Sequence, residues 1–176
     1  VGRRAAVWAA LIAERDILRR PLAQRYRTPP EHDWPSDIGV RERAFNAARQ
    51  ARFDVERCNE IGLNAGACRD VDRAARQYGA IIDRLTSSDH LTSSGTTAQT
   101  RQADAELARC LLVGYADHVA LRRDLEQRTC EMDGRRRVVL DRDTAVGDAP
   151  VLVVAEAREV EASRADGGGV HTLVSL

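Results

Sequence analysis

Arginine is the residue type in this chain best suited to holding a ligand. All 27 basic side chains are arginines, and lysine does not occur. A guanidinium offers a planar fork of donors that matches phosphate oxygens. Two groups stand close together in the second half of the sequence: Arg122-Arg123, and Arg135-Arg136-Arg137 directly after Asp133-Gly134. In a strand, Arg135 and Arg137 face one side and Arg136 the other, so only one set can line a groove. The favoured set is Arg135 and Arg137 with Arg122. Arg123 lies beside it, and Tyr115 is the only nearby aromatic on which a base could stack. Plainer roles stand next to these. Arg122 and Arg123 could pair with Asp117 and Asp124 on one helix, and Tyr115 could be a core side chain.

Other chemistries lack their residues. No G-x-x-x-x-G-K-[ST] loop occurs, and there is no lysine to hold a nucleotide phosphate. Gly167-Gly168-Gly169 has no strand before it and helix after it, so it reads as a turn. His32, His90, His118 and His171 are scattered, and none pairs with a carboxylate at ligand or triad spacing. Glu14-Asp16 and Asp141-Asp143 read as solvated charges, because acid–base work needs an enclosing site. Cys58, Cys68, Cys110 and Cys130 contain no C-x-x-C pair, which argues against zinc and for buried, reduced thiols. The chain by itself therefore carries no expected catalytic residue, metal or cofactor.

Composition bounds the elements that must position these arginines. Hydrophobic residues make up 43% and charged residues 31%, a globular rather than a disordered balance. Aromatics are only 4%, so Ala, Val, Leu and Ile must fill the core. The formal net charge is zero, which weighs against a broad nucleic-acid footprint but leaves room for a local one. No apolar run approaches the roughly 20 residues of a membrane span and no secretory signal is evident, so a cytoplasmic protein is expected.

Hydrophobic spacing predicts a helix over 3–20, then a proline-rich loop over 28–37. A second helix is capped by Ser36 and carries Val40, Ala44, Ala47, Ala48, Ala51 and Val55 on one stripe. A third runs from Asp70 to Leu85 with Val71, Ala74, Ala75, Tyr78, Ile81, Ile82 and Leu85 on one face. Eight Ser or Thr fall within 86–97, which reads as a linker. A fourth helix passes through Ala103, Leu107, Cys110 and Leu111 and is interrupted at Gly114, with a further helical turn through Arg123. Thr129–Met132 and Arg135–Leu140 then flank Asp133-Gly134, a preferred type I′ hairpin pair. Val151–Ala155 and Val170–Leu176 complete a β half. The expected class is α+β: a helical bundle over 1–86, a linker over 87–99, and a helix plus small β domain over 100–176.

Two stretches, taken in order with the phrases between and after them, resemble one family. Ala9-Ala10-Leu11-Ile12-Ala13-Glu14-Arg15-Asp16-Ile17-Leu18 is similar to the "A-x-L-[LI]-[SA]-E-R-D-x-L" helix that follows the motor of HrpB-type DEAH-box RNA helicases. Leu111-Leu112-Val113-Gly114-Tyr115-Ala116-Asp117-His118-Val119-Ala120-Leu121-Arg122-Arg123 resembles the segment leading into their oligonucleotide-binding (OB) fold. Arg73-Ala74-Ala75-Arg76-Gln77-Tyr78, Gly134–Leu140 and Leu152–Ala157 stand where the family has its Ala- and Arg-rich helix, its hairpin and its final apolar strand. His118 stands in place of the family's usual Arg, and Arg136 in place of a hairpin glycine.

The resemblance implies an accessory C-terminal segment of an ATP-dependent RNA helicase: a helical bundle followed by an incomplete OB-like antiparallel barrel. It implies motor domains before Val1, where ATP and Mg would bind, and a fifth strand beyond Leu176. The implied partners are single-stranded RNA and those motor domains, and the implied contacts are Tyr115, Arg122, Arg123, Arg135 and Arg137. A stand-alone nucleic-acid-binding module, or a helical protein-interaction module, is the competing expectation.

Overall fold

The computed structural model describes residues 2–19, 36–86, 97–132 and 136–157. They form five helices, α1 (Gly2–Ala13), α2 (Asp37–Gln50), α3 (Val55–Glu60), α4 (Ala65–Leu85) and α5 (Thr97–Gly114). Four strands follow: β1 (Val119–Leu121), β2 (Thr129–Met132), β3 (Arg137–Val139) and β4 (Val151–Val153). The expected strand Val170–Leu176 lies outside the described residues. The class is mixed, helices followed by one open antiparallel sheet. The chain divides into two compact units, one of Val1–Asp33 with Ile38–Leu107, the other of Trp34–Asp37 with Ala108–Leu176.

In the helical unit α1 runs antiparallel to α4. A Cβ on Gly2 would lie 3.1 Å from Ile82, near the end of α4, while Arg15 reaches Asp70 near its start at 3.4 Å. α1 ends at Ala13, short of the expected residue 20. The Asp16 carboxylate accepts the Leu18 amide at 3.1 Å, a local bond that competes with the helix ladder. Ile17 is then buried, and its carbonyl accepts from Asn64 N at 2.9 Å.

α2 and α3 end in the same way. Phe53 N donates to Ala48 O and Arg52 N to Arg49 O; Leu63 N donates to Cys58 O and Gly62 N to Asn59 O. Both are Schellman caps, which place the residue after the C-cap in the left-handed region. Gly62 occupies it at φ 79°, but in α2 the position is Arg52 at φ 52°, followed by Phe53 at φ 55°. Asp54 and Asn64 then cap α3 and α4 by accepting from Arg57 N and Ala67 N. α3 was not expected from hydrophobic spacing. Phe45, Ala44, Ala48, Cys58, Leu63, Ala67, Cys68 and Val71 are fully buried here. Val55 and the far end of α4 are not: Ile81 is 51% and Leu85 79% exposed. Burial pushes the Cys68 thiol up to about 12, with the neighbouring Cys58 adding to it.

A polar cluster ties α1 to α2. Arg4 donates from Nε and Nη2 to both Glu42 carboxylate oxygens, at 2.6 and 2.8 Å, and from Nη1 to Asp104. Trp8 Nε1 donates to Glu42 at 2.8 Å, and the Arg4 guanidinium lies 5.4 Å from the Trp8 ring centroid. Hydrogen bonding to Glu42 holds the Arg4 pKa above its ordinary value, against the pull of burial.

In the sheet unit the strand order is β3-β2-β1-β4, all neighbours antiparallel. The chain after Gly114 makes a 3-10 turn over Ala116–His118 and enters β1, where a further helical turn was expected. β1 pairs Leu121 with Glu131 and Val151, and β2 pairs Glu131 with Arg137. Alternation puts Ala120, Cys130, Met132, Val138 and Leu152 on one face, where they are buried with Leu140, Val146 and Val154. The other face carries the row Val151, Leu121, Glu131 and Arg137. Asp37, itself buried, accepts from Thr144 Oγ1 at 2.9 Å and Ala145 N at 2.6 Å.

Candidate nucleic-acid interface

The strand register separates the arginines that the sequence groups together. Arg122 follows the parity of buried Ala120, and Arg123 that of exposed Leu121. Arg122 bends back on its own unit. Its Nε donates to Gln127 O and its Nη1 to Gly147 O, each at 2.6 Å, and its Nη2 to Leu125 O. Its backbone N donates to Pro150 O at 2.8 Å. One guanidinium thus fastens the β1–β2 loop to the 141–150 loop, with each of its three nitrogens donating to a carbonyl.

Arg123 is exposed and pairs with Glu131 at 2.8 Å. The acid is on β2, not on a shared helix with Asp117 and Asp124, because β1 has replaced the expected helical turn. Arg137 is exposed on β3, which is an edge strand among the described residues. It stands opposite Glu131 in the register, but that carboxylate is occupied by Arg123. Arg135 lies outside the described residues. Tyr115 is half-buried, its ring 5.6 Å from the ring of His118 and tilted 50°. Val154 O can only accept, so His118 Nδ1 carries a proton and donates to it at 2.9 Å. Val154 N in turn donates to His118 O at 3.0 Å. Tyr115 and His118 therefore sit at the junction of α5 and β1, pinned to the chain just past β4.

Two arginines not singled out for the site join Arg137 near this edge. Arg136 precedes β3, its carbonyl accepting from Met132 N at 2.8 Å, and Arg142 follows it in the turn from Asp141 to Thr144. Both are exposed. Among the described residues no acidic partner is found for Arg136, Arg137 or Arg142. The signal was present in the phrases Arg135-Arg136-Arg137 and Asp141-Arg142-Asp143; strand alternation set Arg136 apart from Arg135 and Arg137, whereas β3 begins only at Arg137. Asp143 N donates to Asp141 Oδ1 at 3.0 Å, so Asp141 shapes the turn that displays Arg142.

The arginines of α4 are placed differently. Arg73 pairs with Asp70 at 2.9 Å and Arg76 with Asp72 at 2.8 Å, while Arg69 donates to Phe53 O at 2.7 Å. Cys58, Cys68 and Cys130 are buried free thiols and Cys110 is exposed. Among the described residues no group of His, Cys, Asp or Glu could hold a metal ion, and no helix is long and apolar enough to cross a membrane. No family model matches the chain, and no curated protein matches it.

Proposed function

We propose that this chain is an RNA-contacting accessory segment of an ATP-dependent DEAH-box helicase of the HrpB type, acting on single-stranded RNA alongside motor domains of the same parent protein. ATP and Mg belong to those domains, and this segment makes contacts rather than chemistry. The observation that carries the reading is the exposed Arg137 on an edge strand, without a free acid, in a sheet ordered β3-β2-β1-β4. Among the described residues the two edges of that sheet are β3 and β4. An OB fold is a small, partly open barrel of such antiparallel strands, whose strand face and loops bind oligonucleotides. Arg123, Arg135 and Tyr115 complete the proposed surface, with Arg122 at its base.

A second reading draws on the apolar side chains left exposed. Ile81 and Leu85 in the helical unit, and Leu112 (46%) and Val113 (81%) on α5, suit a protein-interaction module with no link to RNA. Binding to fluorescein-labelled single-stranded RNA decides between them. The helicase-segment reading expects binding at low salt that weakens steeply as salt rises, a clear loss of affinity in Arg135→Ala/Arg137→Ala, and no ATP turnover by the chain. Absence of binding at low salt favours the interaction module.

A further inference from the structure

Resting on the nucleic-acid reading above, we propose that the arginines of the sheet unit divide into two sets. Arg136, Arg137 and Arg142 form a phosphate rail along the β3 edge, and Arg122 is a positioning residue that touches no ligand. The division comes from what each guanidinium already holds. Arg122 spends its Nε, Nη1 and Nη2 on the carbonyls of Gln127, Gly147 and Leu125. A carbonyl-bound guanidinium keeps its charge but has lost the directed fork that grips a phosphate. Arg123 is committed to Glu131.

The rail has the opposite character. Arg136, Arg137 and Arg142 are exposed, and among the described residues none has an acidic partner. They lie within seven consecutive residues, and Arg137 and Arg142 are separated by at most about 18 Å of chain, the reach of a few nucleotides. Among the described residues β3 stands at the margin of the sheet, so a strand of RNA can pass along it without crossing the apolar Leu121 and Val151. Among the described residues no aromatic lies on the exposed sheet face, so base stacking contributes little there and phosphate contacts dominate. The ligand class this predicts is a single-stranded polynucleotide bound through its backbone, with little preference among bases.

Arg122 has the complementary task. Its clip holds the 141–150 loop, which carries Arg142, against the β1–β2 loop. Loss of the clip would loosen the rail without removing a phosphate contact.

The salt dependence of binding separates the two roles. A single-strand contact contributes about −0.7 to the slope of log K against log salt for each phosphate neutralised. Anisotropy of fluorescein-labelled oligouridylate is followed through a sodium chloride series with the full chain. Arg136→Gln, Arg137→Gln and Arg142→Gln should each flatten the slope by about 0.7, and the triple variant by about 2. Arg122→Gln should weaken binding with the slope unchanged, while amide exchange accelerates around 124–128 and 145–148. Arg122→Lys keeps the charge without the fork and should behave like Arg122→Gln, which guards against a poorly folded glutamine variant.

A wild-type slope in the triple variant, with or without increased light scattering, overturns the rail; with scattering it assigns the three arginines to guarding an edge strand against self-pairing. A flattened slope in either Arg122 variant overturns the positioning role. Failure of the wild-type chain to bind oligouridylate at low salt instead removes the nucleic-acid reading on which both rest.

Discussion

The helical unit and the sheet unit use one residue type in two ways. In the helical unit Arg4, Arg15, Arg41, Arg49, Arg73 and Arg76 each lie within 4.0 Å of a carboxylate. Their charge is consumed by structure. In the sheet unit Arg122 is consumed by carbonyls and Arg123 by Glu131, while Arg136, Arg137 and Arg142 have no acidic partner among the described residues. A chain with zero formal charge can therefore still leave some of its arginines without an acidic partner among the described residues. The lesson is that net charge measures the sum, whereas recognition depends on which cations are left over after folding.

Breaking the most committed arginine should give the largest effect. Glu42→Gln removes the charge that both Arg4 and Trp8 address and leaves a half-buried guanidinium short of its partner. A loss of about 2–4 kcal/mol is expected, read from urea midpoints at constant slope. A loss below about 0.5 kcal/mol would mean that the helical unit does not depend on its buried pairs. Arg52→Gly should act in the other direction. This arginine occupies the left-handed cap position that Gly62 fills in α3, and glycine there relieves about 1 kcal/mol of backbone strain. A fall in melting temperature would show that the Arg52 side chain has a compensating role. Smallest of all should be Arg76→Ala. Its partner Asp72 is four residues back on an exposed helix face, where such pairs contribute about 0.3–0.5 kcal/mol. A cost well above 1 kcal/mol would turn the α4 ion pairs from surface decoration into a network.

What could be read in the sequence followed the range over which each signal acts. α4 was legible because its apolar spacing persists for several turns, and β2, β3 and β4 because apolar and β-branched runs flank an Asp-Gly pair and a loop. The same spacing could not say what covers α4: Val71 and Ala74 are buried, yet Ile81 and Leu85 on the same stripe are exposed. α3 was missed because six residues are too few for periodicity. Its punctuation was visible all the same, in Asp54 before it and Gly62 and Asn64 after it. β1 was missed because three residues after a helix carry no alternation of their own. That omission propagated to the site: on a helix Arg122 and Arg123 would each look for an acid three or four residues away, whereas on a strand they point to opposite faces and meet partners from other strands and loops. No local rule announces that a guanidinium will clip carbonyls 3 to 25 positions away, since loop geometry alone brings them together.

The bond from Thr144 and Ala145 to Asp37 has a further consequence. Residues 34–37 precede most of the helical unit yet belong to the sheet unit, and Asp37 is 107 positions from Thr144. The two units are interleaved along the chain and cannot be separated by one cut. During synthesis Asp37 emerges long before the loop that it holds, and closing so long a loop carries an entropic cost that only the packing of the intervening chain can offset.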